Sequence, residues 1–96
     1  MTLDVKLEAG FFKTWRYYLT VSHRQIILTP HESENVEFVI DYNDLISICI
    51  LKKGSQTGEV EIISQSRVYI VLFTIQANFD DVCHTFAKEF GSLVTF

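Results

Sequence analysis

The chain has 96 residues, a net charge of −4 and a hydrophobic fraction of 48 %. This length suits one domain and not two, and the apolar content excludes a disordered tail. The acidic balance disfavours a nucleic-acid binder, and no apolar run approaches the roughly 20 residues that cross a bilayer.

Alternating apolar and polar residues predict antiparallel strands through most of the chain. The predicted strands cover residues 3–9, 15–21, 25–29, 36–40, 45–52, 59–65 and 67–75. Trp15, Tyr17 and Leu19 fall on one face of the second strand, which predicts that Trp15 lies in the core. A polar break at residues 22–24 predicts a hairpin turn, and Pro30 ends the third strand because it lacks an N–H donor. The fifth strand is nearly all apolar, so both of its faces are expected to be covered.

A change of periodicity then predicts a helix over about residues 78–91. Asn78 suits the N-cap, Asp80 and Asp81 suit the positive end of the helix dipole, and Gly91 suits a left-handed C-cap. The apolar stripe of this helix consists of Phe79, Val82, Cys83, Phe86 and Phe90. Because the connections are too short for a parallel sheet, the predicted fold is mainly β. It is a partly open barrel of about seven antiparallel strands, capped by one C-terminal α-helix.

Two segments resemble the pleckstrin-homology superfold, including its GRAM and bacterial PH-like branches. Residues 17–30 are similar to a hairpin with Tyr-Leu-Thr, a turn containing Arg, and a closing aliphatic pair with Thr-Pro. Residues 36–48 resemble the acidic step into the fifth strand of those families, although Asp41 stands where they usually have proline. The resemblance implies one PH/GRAM-like domain over residues 1–96. It also implies a non-catalytic binding module for phosphoinositide headgroups, peptides or proteins.

The lipid-binding members of this superfold carry basic residues around the first hairpin loop. Here Lys13 and Arg16 are present, but the final arginine position of the pattern is Tyr18. By the same resemblance, Glu32 and Glu34 lie on the neighbouring loop and would repel an anionic headgroup. A specific phosphoinositide site is therefore disfavoured.

A weak membrane or lipid-headgroup contact is the alternative function. Aromatic and basic side chains together favour a bilayer interface. The residues of this candidate site are Phe11, Phe12, Lys13 and Arg16. The resembled topology places a second basic group at the opposite end, where it is expected only to solubilise two turns. The members of that second group are His23, Arg24, Lys52 and Lys53.

Protein–protein interaction or scaffolding is the preferred function. In the resembled superfold, the groove between the fifth strand and the C-terminal helix accepts peptides, sometimes by adding a strand. The candidate residues of this partner groove are Leu45, Ser47, Cys49, Leu51, His84 and Thr85. A homo-oligomer through the same edge, or burial of the strand inside the domain, would also explain its apolar character.

The sequence predicts no enzyme, no metal site and no cofactor. Cys83 and His84 are neighbours on the helix and point about 100° apart, which does not form a nucleophile–base pair. Neither Cys49 nor Cys83 has a histidine at metal-ligand spacing. Two reduced thiols and an N-terminus unlike a signal peptide predict a cytoplasmic protein.

Overall fold

The computed structural model describes residues 1–10, 13–33, 35, 37–74 and 79–96, and this part of the chain forms eight strands and one α-helix. The strands are β1 Thr2–Glu8, β2 Thr14–Ser22, β3 Gln25–Pro30, β4 Phe38–Asp41, β5 Leu45–Lys52, β6 Thr57–Ser64, β7 Val68–Thr74 and β8 Val94–Thr95. The helix α1 spans Phe79–Phe90, and short 3₁₀ helices span Tyr42–Asp44 and Gly91–Leu93.

All eight strands join one sheet in the order β4-β3-β2-β1-β7-β6-β5-β8. Neighbours from β4 to β5 are antiparallel, whereas β8 runs parallel to β5. Short connections account for this direction between consecutive strands, but β1 and β7 pair although they are far apart in the sequence. A mainly β, mostly antiparallel fold with a C-terminal helix is thereby confirmed. The eighth strand comes from residues after the helix to which the sequence pattern assigned no element.

Strand β1 joins the two halves of this sheet. Among the described residues, it pairs with β2 along Thr2–Glu8 and with β7 through Val5, Lys6 and Leu7. We call this described contact between β1 and β7 the seam; one of its ends is the pair of Leu7 with Val71. No pair between β1 and β7 is described beyond that end.

The inner face of the sheet and the apolar stripe of α1 form one core. Strands β1 and β7 alternate buried and accessible residues, as a sheet with one covered face requires. From α1, the buried residues are Val82, Phe86 and Phe90. The strands contribute Leu3, Val5, Leu7, Tyr17, Leu19, Val21, Ile26, Leu28, Ile40, Leu45, Ile48, Ile50, Val60, Ile62, Tyr69, Val71 and Phe73.

The turn between β2 and β3 forms where the polar break predicts it. His23 and Arg24 both have positive φ, 52° and 58°, and Ser22 pairs with Gln25 across the turn. Two successive positive φ values are typical of the two-residue turn that matches strand twist. The Arg24 guanidinium lies 3.8 Å from the centre of the Tyr42 ring, a cation–π contact that fixes this non-glycine turn.

The helix agrees with its predicted extent. It ends at Phe90, and Gly91 follows with φ +57°, the left-handed C-cap that glycine adopts without a Cβ clash. Asp80 and Asp81 occupy the first turn. The predicted N-cap, Asn78, lies outside the described residues.

The expectation that both faces of β5 are covered is wrong. Ile46 and Leu51 are 54 % and 39 % exposed, while Ile48 and Ile50 are buried. The apolar composition of β5 therefore does not mean that two layers cover it. One face packs on the core, and part of the other remains open.

Candidate functional site

A groove of about 680 Å³ lies at the end of the seam marked by Leu7. We call it the Trp15 groove. The end of β1, the start of β2, the end of β3, the start of β4 and the turn before β7 all contribute to it. Its lining residues are Leu7, Glu8, Ala9, Thr14, Trp15, Arg16, Tyr17, Pro30, His31, Glu32, Glu37, Phe38 and Arg67.

Trp15 is 56 % exposed at this groove, so its predicted place in the core is wrong. Its position in the alternation is as predicted, since Tyr17 and Leu19 on the same face of β2 are buried. However, Trp15 pairs with Leu7 of β1, the last residue of the seam. The sheet opens at this level, and the indole therefore lines a groove.

Tyr17 lies deeper in the groove and is held by Glu37. Its hydroxyl donates a 2.6 Å hydrogen bond to Glu37 Oε2. Burial, the hydrogen bond to Glu37 and the negative charge of that carboxylate raise the pKa of Tyr17 to about 12, against a smaller opposing effect of Arg67. The phenol therefore acts as a fixed hydrogen-bond donor at neutral pH.

Arg67 lies over aromatic rings in the same groove. Its guanidinium carbon is 4.7 Å from the ring centre of Phe38 and 5.3 Å from that of Tyr69. These two rings contact each other edge-on, with centres 5.4 Å apart. Ser64 fixes the backbone of Arg67. The Ser64 hydroxyl donates a hydrogen bond to the Arg67 C=O and accepts one from the Arg67 N–H. The floor of the groove thus already holds a guanidinium by cation–π contact.

Arg16, a candidate for a lipid-headgroup contact, has a partner within the chain. Its Nη2 lies 3.3 Å from Asp4 Oδ2, and the other oxygen of Asp4 lies 3.0 Å from His31 Nε2. The latter approach is not aligned as a hydrogen bond, so it is a close contact only. The His31 ring stacks on Tyr18, with centres 4.0 Å apart. This arrangement partly neutralises the charge of Arg16.

Of the remaining residues of the candidate membrane site, the structure describes only Lys13. Lys13 is exposed beside the start of β2. Phe11 and Phe12 lie outside the described residues, as does Glu34 of the acidic loop. Glu32 of that loop is exposed and lines the Trp15 groove.

The predicted partner groove on β5 is occupied at its centre by the chain itself. Strand β8 pairs with β5 at Ile48 and Cys49. Leu45 is buried in the core and therefore not available to a partner. Of the other predicted groove residues, Leu51 and His84 are exposed, and the partly buried ones are Ser47, Cys49 and Thr85.

The second basic group does not form one patch. The backbone N–H of Arg24 donates to Glu89 near the end of α1, whereas the Lys52 ammonium lies 5.1 Å from the Phe79 ring at its start. At 1.5 Å per residue, these two contacts are roughly 15 Å apart along the helix. His23 is exposed, and Lys53 lies 3.7 Å from Glu59. Turn solubilisation and local contacts account for these cations.

Both cysteines, Cys49 and Cys83, are free thiols. Burial raises the pKa of Cys83, and the nearby charge of Asp80 raises it further, so the unreactive protonated form is favoured. Within the described ranges, no group of three or more His, Cys, Asp or Glu side chains is placed to hold a metal ion. No helix in that part of the chain is long and apolar enough to cross a membrane.

Comparison with protein-family models finds none that matches the chain, and comparison with curated proteins finds no match either. The geometry of the molecule is therefore the main basis for assigning a function.

Three groove residues, Glu37, Phe38 and Arg67, were not among the predicted site residues. Glu37 is 20 positions from Tyr17, and Arg67 belongs to a tight turn between two strands. Only the sheet order brings them together. One signal was present in the sequence: Arg67 is a charged residue directly before a strongly apolar strand, a position that places it at the rim of a core.

Proposed function

We propose that this chain is a non-catalytic, cytoplasmic binding module of pleckstrin-homology-like architecture that holds an extended segment of a protein partner in the Trp15 groove. The strand order from β4 to β5 and the C-terminal helix support the architecture. Free thiols at Cys49 and Cys83 are consistent with the compartment.

The observation that carries the proposal is the exposed indole of Trp15 in a groove floored by Tyr17 and Phe38. Tryptophan, tyrosine and arginine are the residues that most often dominate binding energy at protein interfaces. The indole of Trp15 is 56 % exposed, so more than half of its surface contributes no burial energy to folding. A partner that covers it would recover that contact.

The strands around the groove favour an extended ligand. β7 has no described ladder pair with β1 from Val68 to Ile70, because the seam ends at Leu7 and Val71. The strand edges that face each other there carry backbone donors and acceptors that an added strand can use. Fixed polar groups, such as the Tyr17 hydroxyl, would set its orientation.

A second concavity is a weaker candidate. It has a volume of about 730 Å³ and lies along the seam, lined in part by Asp4, Lys6, Thr57 and Thr74. Its aromatic residue, Phe73, is only 3 % exposed. It therefore offers no accessible aromatic anchor among its described residues.

A random peptide library displayed on phage and selected against the wild-type chain tests the proposal. We expect enriched peptides whose affinity falls by at least about tenfold in Trp15→Ala, the loss typical of an aromatic hot spot. Leu51→Ser is the matched control, since it removes an exposed apolar side chain from β5 instead. Peptides that bind Trp15→Ala as well as wild type but lose affinity in Leu51→Ser would place the site on β5 and contradict the proposal.

A further inference from the structure

Two carboxylates at the Trp15 groove lack a partner. Among the described residues, the side chains of Glu8 and Glu32 make no hydrogen bond and no ion pair, and both residues are exposed. The other charged side chains at the groove are engaged. Arg16 pairs with Asp4, and Glu37 accepts the hydrogen bond of Tyr17.

The side chains that line the groove therefore carry a net negative charge. Three glutamates line it against two arginines, and each of those arginines already has a contact within the chain. An anionic ligand would meet two unpaired carboxylates, whereas Arg16 is paired with Asp4 and Arg67, which has no carboxylate partner among the described residues, lies over aromatic rings. A cationic ligand would instead be attracted by the unpaired carboxylates.

The aromatic side chains point to the same ligand class. Phe38 and Tyr69 already hold the guanidinium of Arg67 over their faces. Trp15, whose ring binds cations more strongly than those of tyrosine or phenylalanine, makes no ring or cation contact with a described residue. Its indole is therefore a vacant cation–π surface in a groove that two unpaired carboxylates also line.

We propose that the Trp15 groove selects a partner segment that carries a Lys or Arg side chain, with its cation on the Trp15 ring and paired with Glu32. This inference rests on the proposed function and names the chemical class of the partner. Charge complementarity between the acidic rim and the basic segment gives the selectivity, and it rejects phosphorylated headgroups at the same site.

Trp15 is the chain's only tryptophan, so its fluorescence reports on this groove alone. The probes are capped peptides of six arginines or six glutamines, and inositol trisphosphate. We expect a saturable change in emission with the arginine peptide, and none with the glutamine peptide or with inositol trisphosphate. The affinity for the arginine peptide should fall as salt is added, because exposed ion pairs are screened.

Two variants with the same net charge distinguish binding of the arginine peptide at the groove from its non-specific attraction to an acidic protein. Glu32→Gln removes a groove carboxylate, and Glu61→Gln removes one from β6, away from the groove. We expect Glu32→Gln to weaken the arginine peptide about two- to fivefold, as an exposed ion pair does, and Glu61→Gln to have almost no effect. Equal losses in the two variants, absence of binding by the arginine peptide, or a change in emission with inositol trisphosphate would each overturn the inference.

The library selection separates this inference from the proposed function. Selected peptides that need Trp15 but carry no enrichment of Lys or Arg would leave the proposed function intact and overturn the cationic class. A selection that yields no peptide dependent on Trp15 would overturn the proposed function itself.

Discussion

Gly58 of β6 lies beneath the ring of Phe73 on the neighbouring strand. A Cβ at this position would be 2.3 Å from Cζ of Phe73, and that ring is 3 % exposed and stacked on Phe79 at 6.2 Å. Because the ring has no free space to move into, Gly58→Ala should lower the free energy of unfolding by roughly 1–3 kcal/mol. Urea denaturation measures this loss.

The matched control for that prediction is Gly54→Ala, in the turn before β6. A Cβ at Gly54 meets nothing within 4 Å, so this change should leave the stability nearly unchanged. Equal stability of the two variants would show that Phe73 does not press on Gly58 as the structure has it.

Tyr17 gives a second prediction at the scale of one residue. Its pKa of about 12 exceeds the ordinary value of 10.0, so between these values the unfolded chain ionises and the folded chain does not. The unfolded state then binds fewer protons, and the contribution of Tyr17 to stability, complete below pH 10, is lost as the pH rises towards 12.

Urea denaturation at a series of alkaline pH values checks the sign. The decline in the free energy of unfolding should be steeper in wild type than in Tyr17→Phe, which has no phenol to ionise. Parallel declines in the two proteins would contradict the raised pKa. At neutral pH, Tyr17→Phe should cost about 1 kcal/mol, the typical net value of one hydrogen bond.

The exposure of Trp15 could not be predicted from the sequence. Alternation along β2 identifies the face of each side chain, and it correctly groups Trp15 with Tyr17 and Leu19. It does not reveal where the pairing of β1 with β7 ends. That point depends on pairing between β1 and β7, whose residues are more than 60 positions apart, as Leu7 and Val71 are.

At the scale of elements, α1 seals the core through its buried stripe. Phe86 is fully buried, and its ring lies 5.9 Å from that of Phe90, whereas His84 is exposed on the same helix. Phe86→Ala should therefore cost about 3–5 kcal/mol, from lost burial and the cavity left behind. His84→Ala should change stability by less than about 0.5 kcal/mol.

Thermal or urea unfolding followed by circular dichroism compares these two variants. If Phe86→Ala were as stable as His84→Ala, the helix would not close the core. Because such a cost is a large part of the stability of a small domain, partial unfolding of Phe86→Ala at room temperature is also consistent with the expected loss.

Elements that repeat one local pattern could be predicted well. The spacing of Val82, Phe86 and Phe90 indicates the helix and its buried face, and the strand alternation indicates most of the core. β8 could not be predicted, since its two residues form a strand only because they lie beside β5. The exposed face of β5 was missed for a similar reason, as an apolar sequence does not show which neighbours cover it.

At the scale of the whole molecule, the seam positions the candidate site. The described contact of Val5, Lys6 and Leu7 with β7 joins the two halves of the sheet, and the Trp15 groove lies at its Leu7 end. Part of the negative charge of the protein, −4 overall, lies at this groove in the carboxylates of Glu8 and Glu32, which are unpaired among the described residues. The β5 edge, by contrast, is partly covered by β8.

Chemical-shift mapping of the isotopically labelled chain with a selected peptide tests the central claim most directly, because it locates the bound segment without any substitution. The shifted amides should cluster at the Trp15 groove, around Thr14, Tyr17, Phe38 and Arg67. Shifts confined to β5 and β8, with the groove amides unchanged, would contradict it.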